Sequence, residues 1–142
     1  MTIKEFLRDI KRKNTSIEIL NEQLERLRSI AEYKSPVIDD IGGGFGSPNV
    51  HSKEDLMCKV AEISEKLTML KIEYLNDIDK ATDMIMSLKD EKILNIFSKR
   101  YLEFKTWERI ADEMDITFQW VHELHKRGLI ELGKNYKNFL QE

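Results

Sequence analysis

Residues 106–127 read TWERIADEMDITFQWVHELHKR, and the order of small, polar and apolar side chains predicts two short helices joined by a tight turn. Ala111 stands midway through the first, where a crossing helix needs a small neighbour, and Val121 and Leu124 give the second its apolar side. Between them, Asp115 tolerates the left-handed conformation that ends a helix. Ile116 plugs the corner, and Thr117 carries the hydroxyl of a good N-cap. This is the helix-turn-helix pattern, in which the second helix lies in a DNA groove; an ordinary αα-hairpin is the plainer reading of the same spacing. The candidate groove-facing side chains are Phe118, Gln119, His122, Glu123 and Lys126, and the candidate phosphate contacts are Thr117, Arg100, Lys105 and Arg127.

The segment just upstream narrows the choice. Residues 88–130, LKDEKILNIFSKRYLEFKTWERIADEMDITFQWVHELHKRGLI, resemble region four of bacterial sigma factors. The matching pieces are an apolar helix ending in Arg100-Tyr101-Leu102, a short polar link, Thr106-Trp107-Glu108-Arg109-Ile110-Ala111, then Asp115-Ile116-Thr117, then Val121 and Leu124. The whole chain is similar to the small phage late-gene transcription regulators of the ArpU and RinA type, which join a helical N-terminal half to a sigma-like helix-turn-helix. That resemblance implies a sequence-specific transcription regulator of phage or prophage late genes, with double-stranded DNA as partner and RNA polymerase as a candidate second one. Sigma factors place Arg and other long polar residues along the start of the recognition helix, whereas this chain has Phe118, Gln119, Trp120 and His122. The implied fold carries over; the promoter sequence read by sigma factors does not.

The first ninety residues carry a different pattern. Ile3, Ile10, Ile17, Leu24 and Ala31 recur every seven residues, and Phe6, Leu20 and Leu27 follow three later, with Lys13 and Lys34 interrupting the second series. Such a heptad stripe predicts a long amphipathic helix packed on another helix. Thr15 with Glu18 has the spacing of a capping box, so a break is expected near Asn14. A second stripe runs Leu56, Val60, Ile63, Leu67, Leu70, Tyr74, Ile78, Ala81, Ile85 and Leu88, with two successive steps of four at Tyr74 that locally unwind a supercoil. The two helices have matched lengths, which predicts an antiparallel hairpin. Between them, residues 35–52 hold Gly42, Gly43, Gly44, Gly46, Pro36 and Pro48, a composition through which no helix continues. No Gly-Lys-Ser/Thr follows these glycines, so the stretch reads as a hairpin linker and not as a phosphate loop. The expected architecture is all-α: a helical hairpin and oligomerisation segment over 1–86, then a helix-turn-helix domain over 87–142.

Composition limits function. No apolar run reaches the roughly 18 residues of a membrane span, and the N-terminus lacks the apolar core of a signal peptide, so a cytoplasmic protein is expected. Cys58 has no second cysteine to pair with, and its place on an apolar-periodic segment predicts a small, partly buried side chain. His122 and His125, three apart, have the spacing of two metal ligands but no third is in view. Neither an enzyme nor a cofactor is indicated; both histidines are expected to project toward the groove. Trp107 is expected to anchor the first motif helix; Trp120 is expected first to pack into the core near Tyr136 and Phe139, with contact to DNA or to a protein partner as the alternatives. Net charge is −3, but residues 1–34 carry eight Lys or Arg against six Asp or Glu, residues 35–86 five against ten, and residues 87–142 ten against ten. A neutral reading domain binds DNA weakly in single copy, because phosphate neutralisation supplies most non-specific affinity. A homodimer or a contact with RNA polymerase is therefore expected. The alternative function is a helical interaction protein, or the small DNA-recognition (terminase) subunit of a phage packaging machine, which a ring of eight or more subunits would distinguish.

Overall fold

The computed structural model describes residues 1–33 and 53–137. Every element among them is helical: α1 (Ile3–Tyr33), α2 (Lys53–Met86), α3 (Glu91–Phe97) running into a π-turn (Ser98–Leu102), α4 (Trp107–Met114) and α5 (Phe118–Asn135). The chain is thus all-α, with two long helices ahead of three short ones. The Gly/Pro-rich linker at 35–52 lies outside the described residues.

The start of α1 is fixed by a capping box thirteen residues before the one read at Thr15. The Thr2 N–H donates to Glu5 Oε2 at 2.8 Å and the Glu5 N–H donates to Thr2 Oγ1 at 3.1 Å, so two orphan donors of the first turn are satisfied reciprocally. The break expected at Asn14 does not occur. Helix α1 runs unbroken from Ile3 to Tyr33, because Ile10 and Ile17 are both buried on one stripe across that point and tertiary burial outweighs a local cap.

Contacts divide the chain into two compact units, one of Met1–Asn14 with Tyr74–Glu142 and one of Thr15–Glu73. The division falls within α1, after Asn14, and within α2, before Tyr74. In the second unit, Ile17, Leu24 and Ala31 of α1 and Leu56, Ile63 and Leu67 of α2 are buried, the heptad positions of each helix. Cys58 sits off that stripe and is exposed, contrary to its expected partial burial. Ile19, Ile30, Met57, Met69 and Ile72 also lie open to solvent in this unit.

The first unit explains the boundary. Its core joins Ile3, Phe6, Leu7 and Ile10 of α1 and Ala81, Met84, Ile85 and Leu88 at the end of α2 to Ile93, Ile96, Phe97, Tyr101, Ile110, Ala111, Val121, Leu124 and Leu132. The first turns of α1 and the last turns of α2 are therefore part of the core beneath the helix-turn-helix. The Lys80 ammonium lies 5.6 Å from the Phe6 ring centroid and Lys13 pairs with Asp77, so these ends of α1 and α2 run antiparallel. Asp90 caps α3, accepting from Lys92 N–H at 2.8 Å and Ile93 N–H at 3.3 Å. Where α3 meets α5, Gly128 has no room for a side chain: a Cβ there would lie 2.2 Å from Phe97 Cε2 and 2.7 Å from Ile93 Cγ2. Phe97 itself is wholly enclosed, and burying such a ring is worth about 1.5–3 kcal/mol.

Candidate nucleic-acid interface

Three consecutive residues hold the turn between α4 and α5. Asp115 takes φ 54° and ψ 46°, the left-handed conformation, and the cap is closed by Ile116 N–H donating to Ala111 O at 3.1 Å. A short polar side chain bears that conformation at less cost than most. Ile116 packs against the core, and the Thr117 hydroxyl accepts from Trp120 N–H at 3.1 Å, capping α5. Thr106 does the same for α4, accepting from Arg109 N–H at 3.2 Å. All three turn residues do what their chemistry predicts.

Helix α5 buries Val121, Leu124, His125, Gly128 and Leu132, spaced three, one, three and four residues apart. Its exposed residues include Phe118, Gln119, His122, Glu123, Lys126 and Arg127, so every residue expected to face the groove except His125 is open to solvent. Glu123 and Arg127 are joined, Oε1 to Nε at 3.5 Å. His125 departs from expectation. It is 5 % exposed, shares a 2.6 Å hydrogen bond between its Nε2 and the Tyr101 hydroxyl, and stacks on Phe97 with ring centroids 5.0 Å apart. Burial pushes its pKa down to about 4 and pushes that of Tyr101 up to about 12. His125 is therefore a neutral core residue. The spacing of Val121, Leu124, Gly128 and Leu132 was the available signal, since residue 125 falls on that stripe.

An aromatic row borders the exposed surface. Phe118 meets His122 edge-on at 4.5 Å, His122 meets Trp107 at 4.8 Å, and the Arg100 guanidinium lies 4.4 Å from the Trp107 ring centroid. Arg100 also donates from Nη1 to Lys105 O at 3.0 Å, which fixes the connector ahead of α4 and holds Arg100 on the protein itself. Trp107 anchors α4 as expected, touching His125 at 4.7 Å as well. Trp120 does not enter the core. It is exposed, with the Arg127 guanidinium 5.0 Å from its ring centroid, because a residue just before Val121 points to the flank of α5 while Val121 points inward.

Lys105 is tied down by carboxylates. Its Nζ lies 2.9 Å from both oxygens of Glu113 and 3.3 Å from Glu103 Oε1, and the Glu113 hydrogen bond holds its pKa above the ordinary lysine value. Lys99 Nζ reaches the same Glu113 at 3.1 Å and Arg109 Nε at 3.5 Å. Among the described residues, no group of three or more His, Cys, Asp or Glu side chains is placed to hold a metal ion, and no helix is long and apolar enough to cross a membrane. No protein-family model, curated protein or solved structure matches the chain.

Proposed function

We propose that this protein is a sequence-specific DNA-binding transcription regulator, of the kind that serves phage or prophage late genes, with α5 lying in the major groove. The supporting observation is the pairing of a capped, left-handed turn at Asp115-Ile116-Thr117 with an exposed polar surface on the helix that follows. Gln119 and Glu123 stand one turn apart there, and an amide and a carboxylate suit adenine and cytosine edges respectively. His122 and Lys126 complete the reading set, and Phe118 offers an apolar edge to a thymine methyl. Arg127 is the first phosphate contact on the same helix.

The reading module has no net positive charge, so one copy attracts DNA weakly. Self-association through residues 15–73 supplies a second copy in this proposal, and RNA polymerase is the candidate further partner. The exposed Ile19, Ile30, Met57, Met69 and Ile72 favour assembly, and they equally favour the second reading, a helical DNA-recognition subunit of a packaging machine. Light scattering separates the two: a dimer supports the regulator and a ring of eight or more supports packaging.

The test of DNA reading is Gln119→Ala. Once circular dichroism shows the variant folded, its affinity for the site selected from phage genomic fragments should fall by about 1–3 kcal/mol while random duplex is bound as before. Equal loss on both DNAs would make Gln119 a positioning group, and no loss on either would turn this surface toward a protein.

A further inference from the structure

One carboxylate on α4 gathers three cations from three successive segments. Glu113 accepts from Lys99 of the π-turn and from Lys105 of the connector, and Arg109 approaches it from the preceding turn of α4. Lysine and arginine outnumber acids here even with Glu103 counted, yet every one of the three cations converges on the same two oxygens. The first helix of a helix-turn-helix crosses the DNA backbone while the second enters the groove, so this cluster lies on the element expected to meet phosphate.

We propose that Glu113 occupies a built-in phosphate site: its carboxylate stands where a phosphodiester of duplex DNA docks, and it must swing aside for Lys99, Lys105 and Arg109 to bind that phosphate. The inference rests on the DNA-binding reading. Two lines of chemistry support it. A carboxylate and a phosphodiester both present two anionic oxygens to nitrogen donors at hydrogen-bonding distance. The pairs are partly exposed, with side chains 18–29 % accessible for Lys99, Lys105 and Glu113, and exposed ion pairs are weakly held, so exchange of one anion for another is easy. The lysines keep the Glu113 carboxyl down at about 2, so the occupant is charged at neutral pH. The arrangement lowers non-specific affinity by keeping three cations engaged until a well-placed phosphate displaces their partner.

Glu113→Gln tests this, with Asp112→Asn, the neighbouring exposed carboxylate, as the charge-matched control. On random duplex at low salt Glu113→Gln should bind about tenfold tighter than the wild type, and its log–log salt slope should steepen by about one. Asp112→Asn should gain less than half of that factor. Adding Lys99→Gln and Lys105→Gln to Glu113→Gln should cancel the gain. Equal gains for the two single variants, no gain for Glu113→Gln, or a gain that survives loss of both lysines overturns the inference, while the Gln119→Ala result still decides the DNA reading. If no variant binds duplex, sulfate separates the cases. A Glu113→Gln melting temperature raised by sulfate beyond chloride at equal ionic strength leaves the anion site and removes DNA; no response removes both.

Discussion

His125 lies against Phe97, Tyr101 and Trp107 and shares a hydrogen bond with the Tyr101 phenol, and the charges that reach it, those of Lys4, Arg100 and Arg8, oppose an imidazolium. Its pKa is pushed down to about 4 in the fold, by burial first and by nearby cations such as Lys4 second. An unfolded chain has it near 6.5. Between those values the unfolded state binds more protons, so stability falls as pH drops from about 6.5 toward 4 and His125 removes nothing further below that. The expected loss is up to about 3 kcal/mol, from 1.36 kcal/mol per pKa unit. Imidazole proton shifts followed by NMR should give His125 a midpoint near 4, and melting temperatures should decline across the same window. A midpoint at or above 6 would place His125 in solvent. The Glu113 ion pairs are lost in a more acidic range, as its carboxyl is held at about 2. A histidine reads in sequence as a polar residue, and only the phase of the apolar stripe around it betrays that the fold has claimed it.

The crossing of α3 and α5 is set by an absent side chain. Gly128 gives up roughly 1 kcal/mol of helix propensity relative to alanine, yet a Cβ at that position would sit 2.2 Å from an atom of the Phe97 ring. Phe97 is wholly buried and pinned by Tyr101 and His125, so the ring has nowhere to turn. Gly128→Ala should therefore destabilise, by about 1–3 kcal/mol as expected for overpacking, against the gain that propensity alone would give. Chemical denaturation measures the sign directly, and a stabilised variant would show that the helices can part. The legible features at this scale were those whose chemistry is local: the heptad stripes of α1 and α2, and the Asp115-Ile116-Thr117 turn. What escaped were tertiary facts. The closeness of Gly128 to Phe97, the π-turn at Ser98–Leu102, and the left-handed φ of 58° at Phe104 depend on neighbours distant in the chain. Phe104 is a bulky residue in a conformation that favours glycine, kept there while its ring packs against the core.

For the molecule as a whole, the division of the chain decides what can fold alone. The sequence places a change of pattern near residue 86, where heptads give way to the motif, but the core beneath the motif draws Ile3, Phe6, Leu7 and Ile10 from the first helix and Ala81, Met84 and Ile85 from the second. Periodicity reports which side of a helix is apolar and not which element covers it, so this sharing was not readable from the stripes. A fragment of residues 87–142 loses all seven of those side chains, each worth on the order of 1–3 kcal/mol when buried, against a total stability of about 5–15 kcal/mol for a domain. That fragment should lack a cooperative melting transition. The reverse deletion should be tolerated. Lys13 pairs with Asp77, so the two cut ends are within side-chain reach, and replacing residues 15–73 by a short Gly/Ser linker leaves that core intact. This shortened protein should melt cooperatively and keep the exposed polar surface of α5. It should also run as a monomer in light scattering, since Ile19, Ile30, Met57, Met69 and Ile72 are gone. Cooperative folding of residues 87–142 by themselves would put the boundary back at residue 86, and self-association of the shortened protein would move the assembly surface into the unit that carries the motif.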